Sequence, residues 1–151
     1  MMLFVILFIL SCFLLLYENY CVVMGRHNIP SLWLSPLSRT AFRFIRRIMA
    51  YGSMIGIGYS IGFGWAIGIF LTYIVYGNLT LQHFHNREVF ARASYYIKKE
   101  KGELQNEGTK IDDEQLKKEA FDFANDVVRR TLDSYGVKTI LEKVDYRHYY
   151  S

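Results

Sequence analysis

The chain has little of what soluble active sites and disulfide scaffolds are built from. Its 151 residues include two cysteines and two prolines. Cys12 and Cys21 both lie in or beside the first apolar stretch, and at that separation on one helix they cannot meet, so no disulfide framework is expected. There is no CxxC pair, zinc motif, P-loop, dinucleotide fingerprint or nucleophile elbow. His27, His83, His85 and His148 are scattered, and His83 and His85 point to different sides of a helix, so no metal site is expected and no cofactor. Acidic residues are missing between the two apolar stretches, where Arg26, Arg39, Arg43, Arg46 and Arg47 stand alone. Between 50 and 76 all charge is missing, and so is proline. Together these absences point away from an enzyme.

What is present is apolar and aromatic. Twelve tyrosines and eleven phenylalanines suit interfacial anchoring and packing in an assembly. The net charge of +4 comes from the arginines between the apolar stretches, because beyond Gly77 thirteen basic residues balance thirteen acidic ones. A basic excess placed against an apolar span points to lipid headgroups, not to nucleic acid.

The uncharged run at 50–76 exceeds the roughly 20 residues that cross a bilayer as a helix. It reads as one transmembrane helix, with Tyr51 near one end and Tyr73 and Tyr76 near the other. Gly52, Gly56, Ser60, Gly64 and Gly68 recur every four residues and form one small-residue ridge. Gly58, Gly62 and Ala66 form a second, nearly opposite. Lipid supplies no hydrophobic force between helices, so such ridges are where close backbone contact with neighbouring spans is expected.

Residues 1–24 form a first, bulkier apolar helix. A signal peptide fits the apolar length, but a basic n-region and a small-x-small cleavage site are missing. Glu18 interrupts near one edge, where it is expected to anchor or to pair with a cation. Residues 25–49 hold a loop with Pro30 and Pro36, an anchoring Trp33, and a helix capped by Ser38. In that helix Arg39, Arg43, Arg46 and Arg47 share one face, as expected of an amphipathic helix lying on the membrane and binding an anionic lipid such as cardiolipin. The positive-inside rule places this loop in the cytoplasm or its organellar equivalent, and two spans then put both termini on the other side.

Residues 77–151 read as a helical soluble tail. One helix continues out of the bilayer to about Gly102. A second starts at an Asp112 cap, with Gln115 as reciprocal partner and an Ile111–Leu116 staple. Leu116, Ala120, Phe123, Val127 and Leu132, widened by Phe121, Ala124 and Val128, mark its core face, and Gly136 stops it. The overall expectation is an all-α integral membrane protein: two transmembrane helices, an interfacial amphipathic helix between them and a helical soluble tail.

At the exit from the second span, Tyr76-Gly77 is followed by a semi-polar run over 78–85 and then by Asn86-Arg87-Glu88 and a long helix. This resembles the retinoid-interferon-induced mortality family of accessory subunits of mitochondrial respiratory complex I. The resemblance implies a non-catalytic accessory subunit in the mitochondrial inner membrane, with the arginine loop on the matrix side and other membrane subunits as partners. ATP synthase is the next host expected. The glycine repeat also resembles the two-span core subunit of the cristae-organising system, which implies as an alternative a membrane-shaping homo-oligomer.

Overall fold

The structure, a computed structural model, describes residues 1–24, 36–107, 112–137 and 141–147. Trp33, Pro30, Ile111 and His148 lie outside the described residues. Four α-helices follow in order: α1 (Met2–Met24), α2 (Pro36–Ile61), α3 (Phe63–Glu107) and α4 (Asp113–Ser134). Among the described residues there is no strand, so the all-α expectation holds. The chain divides into two compact units, Met1–Leu81 and Gln82–Ser151.

In the first unit the largest departure from expectation is at 50–76. This run is not one helix. It breaks at Gly62, whose φ of +111° is a conformation that L side chains rarely adopt. The chain reverses there, and α2 and α3 run antiparallel. The Tyr51 and Phe70 rings meet at 6.4 Å, and Arg46 reaches Tyr73. A Cβ on Gly58 would lie 2.9 Å from that of Ala66. Periodicity could not show this reversal, because a glycine inside an apolar run is as compatible with a continuous packed helix as with a turn. Tyr51 consequently lies partway along a helix, and Tyr59 takes the place beside the turn.

The arginine segment is likewise not a separate helix. No glycine or proline stands between Arg39 and Ala50, so nothing ends the helix before the glycine-rich half of α2. The helix also starts ahead of Ser38, at Pro36, where a missing N–H costs nothing.

α1 completes a three-helix bundle. It runs antiparallel to α2, with Tyr17 against Phe42 and Phe4 covering Gly56. It runs parallel to α3, with Phe8 against Tyr73 and Leu15 against Gly77. The core is Leu15, Ala50, Met54 and Tyr73, flanked by Phe8, Cys12, Ile69 and Tyr76. Two helices, α1 over Met2–Val23 and α3 from Phe63, are long and apolar enough to cross a membrane. Much of their apolar surface faces outward, including Ile6, Phe13, Trp65, Ile67 and Leu71.

In the second unit, α3 beyond Gln82 pairs with α4, with Phe90 edge-on to Phe121 and Tyr96 against Phe123. Asp112 caps α4 by accepting from the backbone N–H groups of Glu114 and Gln115. The Gln115 side chain donates to Glu119 instead of turning back to the cap. Gly136 ends the helix at φ +72°, with Gly136 N–H bonded to Asp133 O and Val137 N–H to Leu132 O, which satisfies two orphan carbonyls. The buried face holds Leu116, Ala120, Phe121, Ala124, Asn125, Val128 and Leu132. Phe123, expected on that face, is 55% exposed.

Two outcomes follow from this architecture. Nothing crowds a Cβ at Gly62, so Gly62→Ala should cost only the backbone strain, roughly 1–3 kcal/mol. A lowered thermal midpoint by circular dichroism in detergent checks this, and an unchanged one would mean that the turn does not need positive φ. The second concerns Asp113. Lys101 donates to it at 3.0 Å, and this is the main cause that holds its carboxyl below the usual range; slight desolvation opposes the shift, and the charges of Lys101 and Lys117 add to it. A depressed carboxyl stabilises fully above its ordinary value and loses that contribution as pH falls through the folded value. Acid should therefore weaken the α3–α4 pairing less steeply in Asp113→Asn than in the parent, by a small margin suited to an exposed pair. Helicity measured against pH from 6 to 2 checks it.

Candidate functional site

The first unit buries charge. Glu18 on α1 is 7% exposed and Arg46 on α2 is 8% exposed. Arg43 Nε donates to Glu18 Oε1 at 2.7 Å, and Arg46 Nε donates to Oε2 at 2.7 Å. Both carboxylate oxygens are therefore charge-assisted acceptors, each from a different arginine. Arg46 Nη1 then donates to the Tyr73 hydroxyl at 2.6 Å, which carries the network to α3. One position along α1, Asn19 Nδ2 donates to Thr80 Oγ1 at 2.7 Å and to Gly77 O at 2.9 Å. Thr80 in turn hydrogen-bonds back to Tyr76 O. Residues from three helices are thus tied into one polar lock.

The positions follow from helix periodicity. Glu18 and Asn19 are adjacent, so they point to neighbouring helices. Glu18 meets α2 and Asn19 meets α3. Arg43 and Arg46, three apart, lie on the same side of α2 and straddle one carboxylate. Burial of a lone carboxylate in an apolar bundle is prohibitive, and burial with two hydrogen-bonded guanidinium groups is tolerable. The planar fork of Arg46 serves a carboxylate and a phenol at once, through Nε to Glu18 and Nη1 to Tyr73. One acid against two bases leaves an excess positive charge at this end of the bundle, reinforced by exposed Arg47 and half-buried Arg39.

This changes the meaning of the arginine face. Arg43 and Arg46 were expected to lie on a membrane surface, yet they turn inward, and it is Phe44, Ile45 and Ile48 that are exposed. The reason is Glu18, whose buried charge requires them. Arg47 is exposed on the same helix, with part-exposed Arg39 two turns before it.

The glycines separate into three groups. Gly56 and Gly58 are used inside the bundle, where a Cβ at Gly56 would meet the Phe4 ring at 2.5 Å. Gly62 makes the turn. Gly52, Gly64 and Gly68 have nothing within 4 Å of an added Cβ and are open. Ser60 is exposed and bonds only to its own helix, at Gly56 O. The continuous ridge expected from the spacing of four is therefore divided between two antiparallel helices.

The partners of two further polar side chains, Asn19 and Asn125, are not legible in the sequence. Asn19 has no pattern that predicts a partner some sixty residues away. Asn125 sits within the apolar face of α4, where its amide holds the backbone of Val144; a polar residue on a core face was the signal available. His85 is buried and neighbours the Asn86 amide at 3.4 Å, while His83 packs on Phe84, so the two do not converge.

Compared with protein-family models, curated proteins and solved structures, the chain matches none of them.

Removal of one partner from the lock should be far worse than removal of all. Glu18→Ala removes the carboxylate that Arg43 and Arg46 share and should cost on the order of 3–5 kcal/mol. The triple replacement Glu18→Leu, Arg43→Leu, Arg46→Met should recover most of that loss. Thermal unfolding in detergent compares them, and equal losses in both variants would show that the charges are not coupled.

Proposed function

We propose that this chain is a non-catalytic, membrane-embedded accessory subunit whose role is to hold an assembly together. The observation that carries this reading is the inversion of the first unit, in which charged groups face one another inside while isoleucine, leucine and phenylalanine face out. Water rewards the opposite arrangement, and lipid rewards this one. The dimensions agree. Arg46 is sixteen residues from the Gly62 turn, roughly 24 Å at 1.5 Å per residue, which sets the lock just inside the far edge of a bilayer core about 30 Å thick. Exposed Tyr59 and Trp65 flank the turn at the opposite edge, as interfacial aromatics do.

In this reading α1 and α3 cross and α2 returns between them. The positive-inside rule puts the arginine end on the cytoplasmic or matrix side. Thr80 is bonded to Asn19 at that same end, so α3 leaves the bilayer there too, not on the far side as a two-span topology would have it. Arg39 and Arg47 hold an anionic headgroup at that surface, cardiolipin in a mitochondrial setting. Open Gly52, Gly64 and Gly68 receive neighbouring spans. The resemblance around Tyr76-Gly77 and Asn86-Arg87-Glu88 favours the mitochondrial inner membrane and respiratory complex I as host, with ATP synthase next.

Native electrophoresis of gently solubilised membranes, with mass spectrometry of co-migrating chains, tests the proposal. Discrete migration with subunits of one respiratory or ATP synthase complex is expected. A ladder of this chain alone would overturn it in favour of a membrane-shaping homo-oligomer. Substitution separates folding from docking. Gly64→Leu should leave the thermal midpoint within about 1 kcal/mol of the parent and shift the chain out of its complex. Gly56→Leu should instead lower the midpoint, because Phe4 already occupies that space.

A further inference from the structure

In the second unit two side-chain amides clamp the main chain of residues 141–147. Gln82 on α3 donates from Nε2 to Glu142 O at 3.1 Å and accepts from Glu142 N–H at Oε1 at 3.0 Å. Asn125 on α4 does the same for Val144, donating to its carbonyl at 3.0 Å and accepting from its N–H at 3.1 Å. Each amide therefore takes the place of a residue on a neighbouring strand, and the two read residues two apart, which is the repeat of a strand edge. The orientation of each amide is fixed by its second N–H. That of Gln82 goes to Asn86 Oδ1 at 2.7 Å, and that of Asn125 goes to Phe121 O at 2.8 Å. Neither amide can flip without losing a hydrogen bond. Side chains add little selection. Val144 is buried, and the Tyr146 hydroxyl donates to Glu114 at 3.0 Å, while Glu142 and Lys143 are exposed.

We propose that this clamp is an exchangeable site for an extended peptide, and that its occupant in the assembled protein is the 141–147 segment of a second copy of this chain. Four main-chain hydrogen bonds, one buried side chain and one hydroxyl contact make a small, reversible attachment. None of these contacts depends on the segment belonging to the same chain. The segment that demonstrably fits the clamp is carried by every copy, and confinement in one assembly raises its local concentration. Exchange of an identical element between protomers is a low-cost route to a pair. The site itself uses the second unit alone, and the local concentration of copies rests on the assembly proposed above.

The test uses a chain shortened to end at Val137 and a fluorescent peptide spanning 141–147. Saturable binding is expected, at least tenfold weaker to the full-length chain, whose own segment competes. N-methylation of the peptide at Glu142 or Val144 removes an N–H that the clamp reads and should weaken binding at least tenfold, whereas N-methylation at Lys143 should leave it within twofold. The shortened chain should also co-purify with a full-length chain carrying Gln82→Leu and Asn125→Leu, since one supplies the site and the other the segment. A shortened chain that keeps its helical spectrum but binds no peptide overturns the site. Equal sensitivity to all three N-methyl groups overturns main-chain reading. Peptide binding without co-purification overturns the second copy as occupant. If shortening destroys helicity, Tyr146→benzoylphenylalanine in the full-length chain, mixed with an isotopically heavy parent, decides. Cross-links to α4 of the heavy copy are expected, and cross-links confined to the light copy overturn the exchange.

Discussion

A buried carboxylate is the constraint on which the first unit depends. Glu18 cannot be satisfied by leucine, and one turn away on its own helix Leu14, Leu15, Cys21 and Val22 offer it no cation. It is satisfied by Arg43 and Arg46 together, and Arg46 passes the connection on to Tyr73. Ring against ring and phenylalanine over glycine are apolar, directionless contacts between the three helices. They supply attraction without choosing a register. The two arginine bonds are directional and admit one height of α2 against α1. Asn19 performs the same service for α3 through Gly77 and Thr80. The bundle thus owes its compactness to apolar surface and its alignment to two adjacent residues of α1.

The second unit solves the same problem with neutral groups. Asn125 stands in the middle of an apolar helix face, a place where asparagine is a poor helix former and a costly polar atom. Its amide is fully used, by its own helix on one side and by the main chain of Val144 on the other. In both units a polar residue that looks misplaced in the sequence is the one that fixes the geometry.

How much of this was legible depended on how local the cause is. The Asp112 cap and the Gly136 stop of α4 are governed by residues within four positions and were readable directly. So were the apolar length of α1 and the all-helical character. The turn at Gly62 was not, because six glycines in one apolar run offer six positions where the chain can reverse, and the choice among them is made by what packs beside each. Phe4 fills the space at Gly56 and Ala66 that at Gly58; neither neighbour is visible from spacing. The inward turn of Arg43 and Arg46 was missed for the same reason. Their shared face was plain, but which way it pointed depended on Glu18, some twenty-five residues upstream. The amide contacts of Gln82 with Glu142 and of Asn125 with Val144 join residues 60 and 19 positions apart and carry no motif.

The position of Glu18 in the first helix has a consequence for how the protein is made. α2, with four arginines in its first half, is long enough at 26 residues but not apolar enough to pass as a membrane-crossing helix, whereas α1 and α3 are both. If the bundle resides in lipid as proposed, α2 enters as a passenger, and it does so only where a counter-charge is waiting. Synthesis runs from the amino end, so the carboxylate is already in place when the arginines emerge. The order of residues along the chain thereby doubles as an order of assembly, with acid first, base second, and the closing helix last.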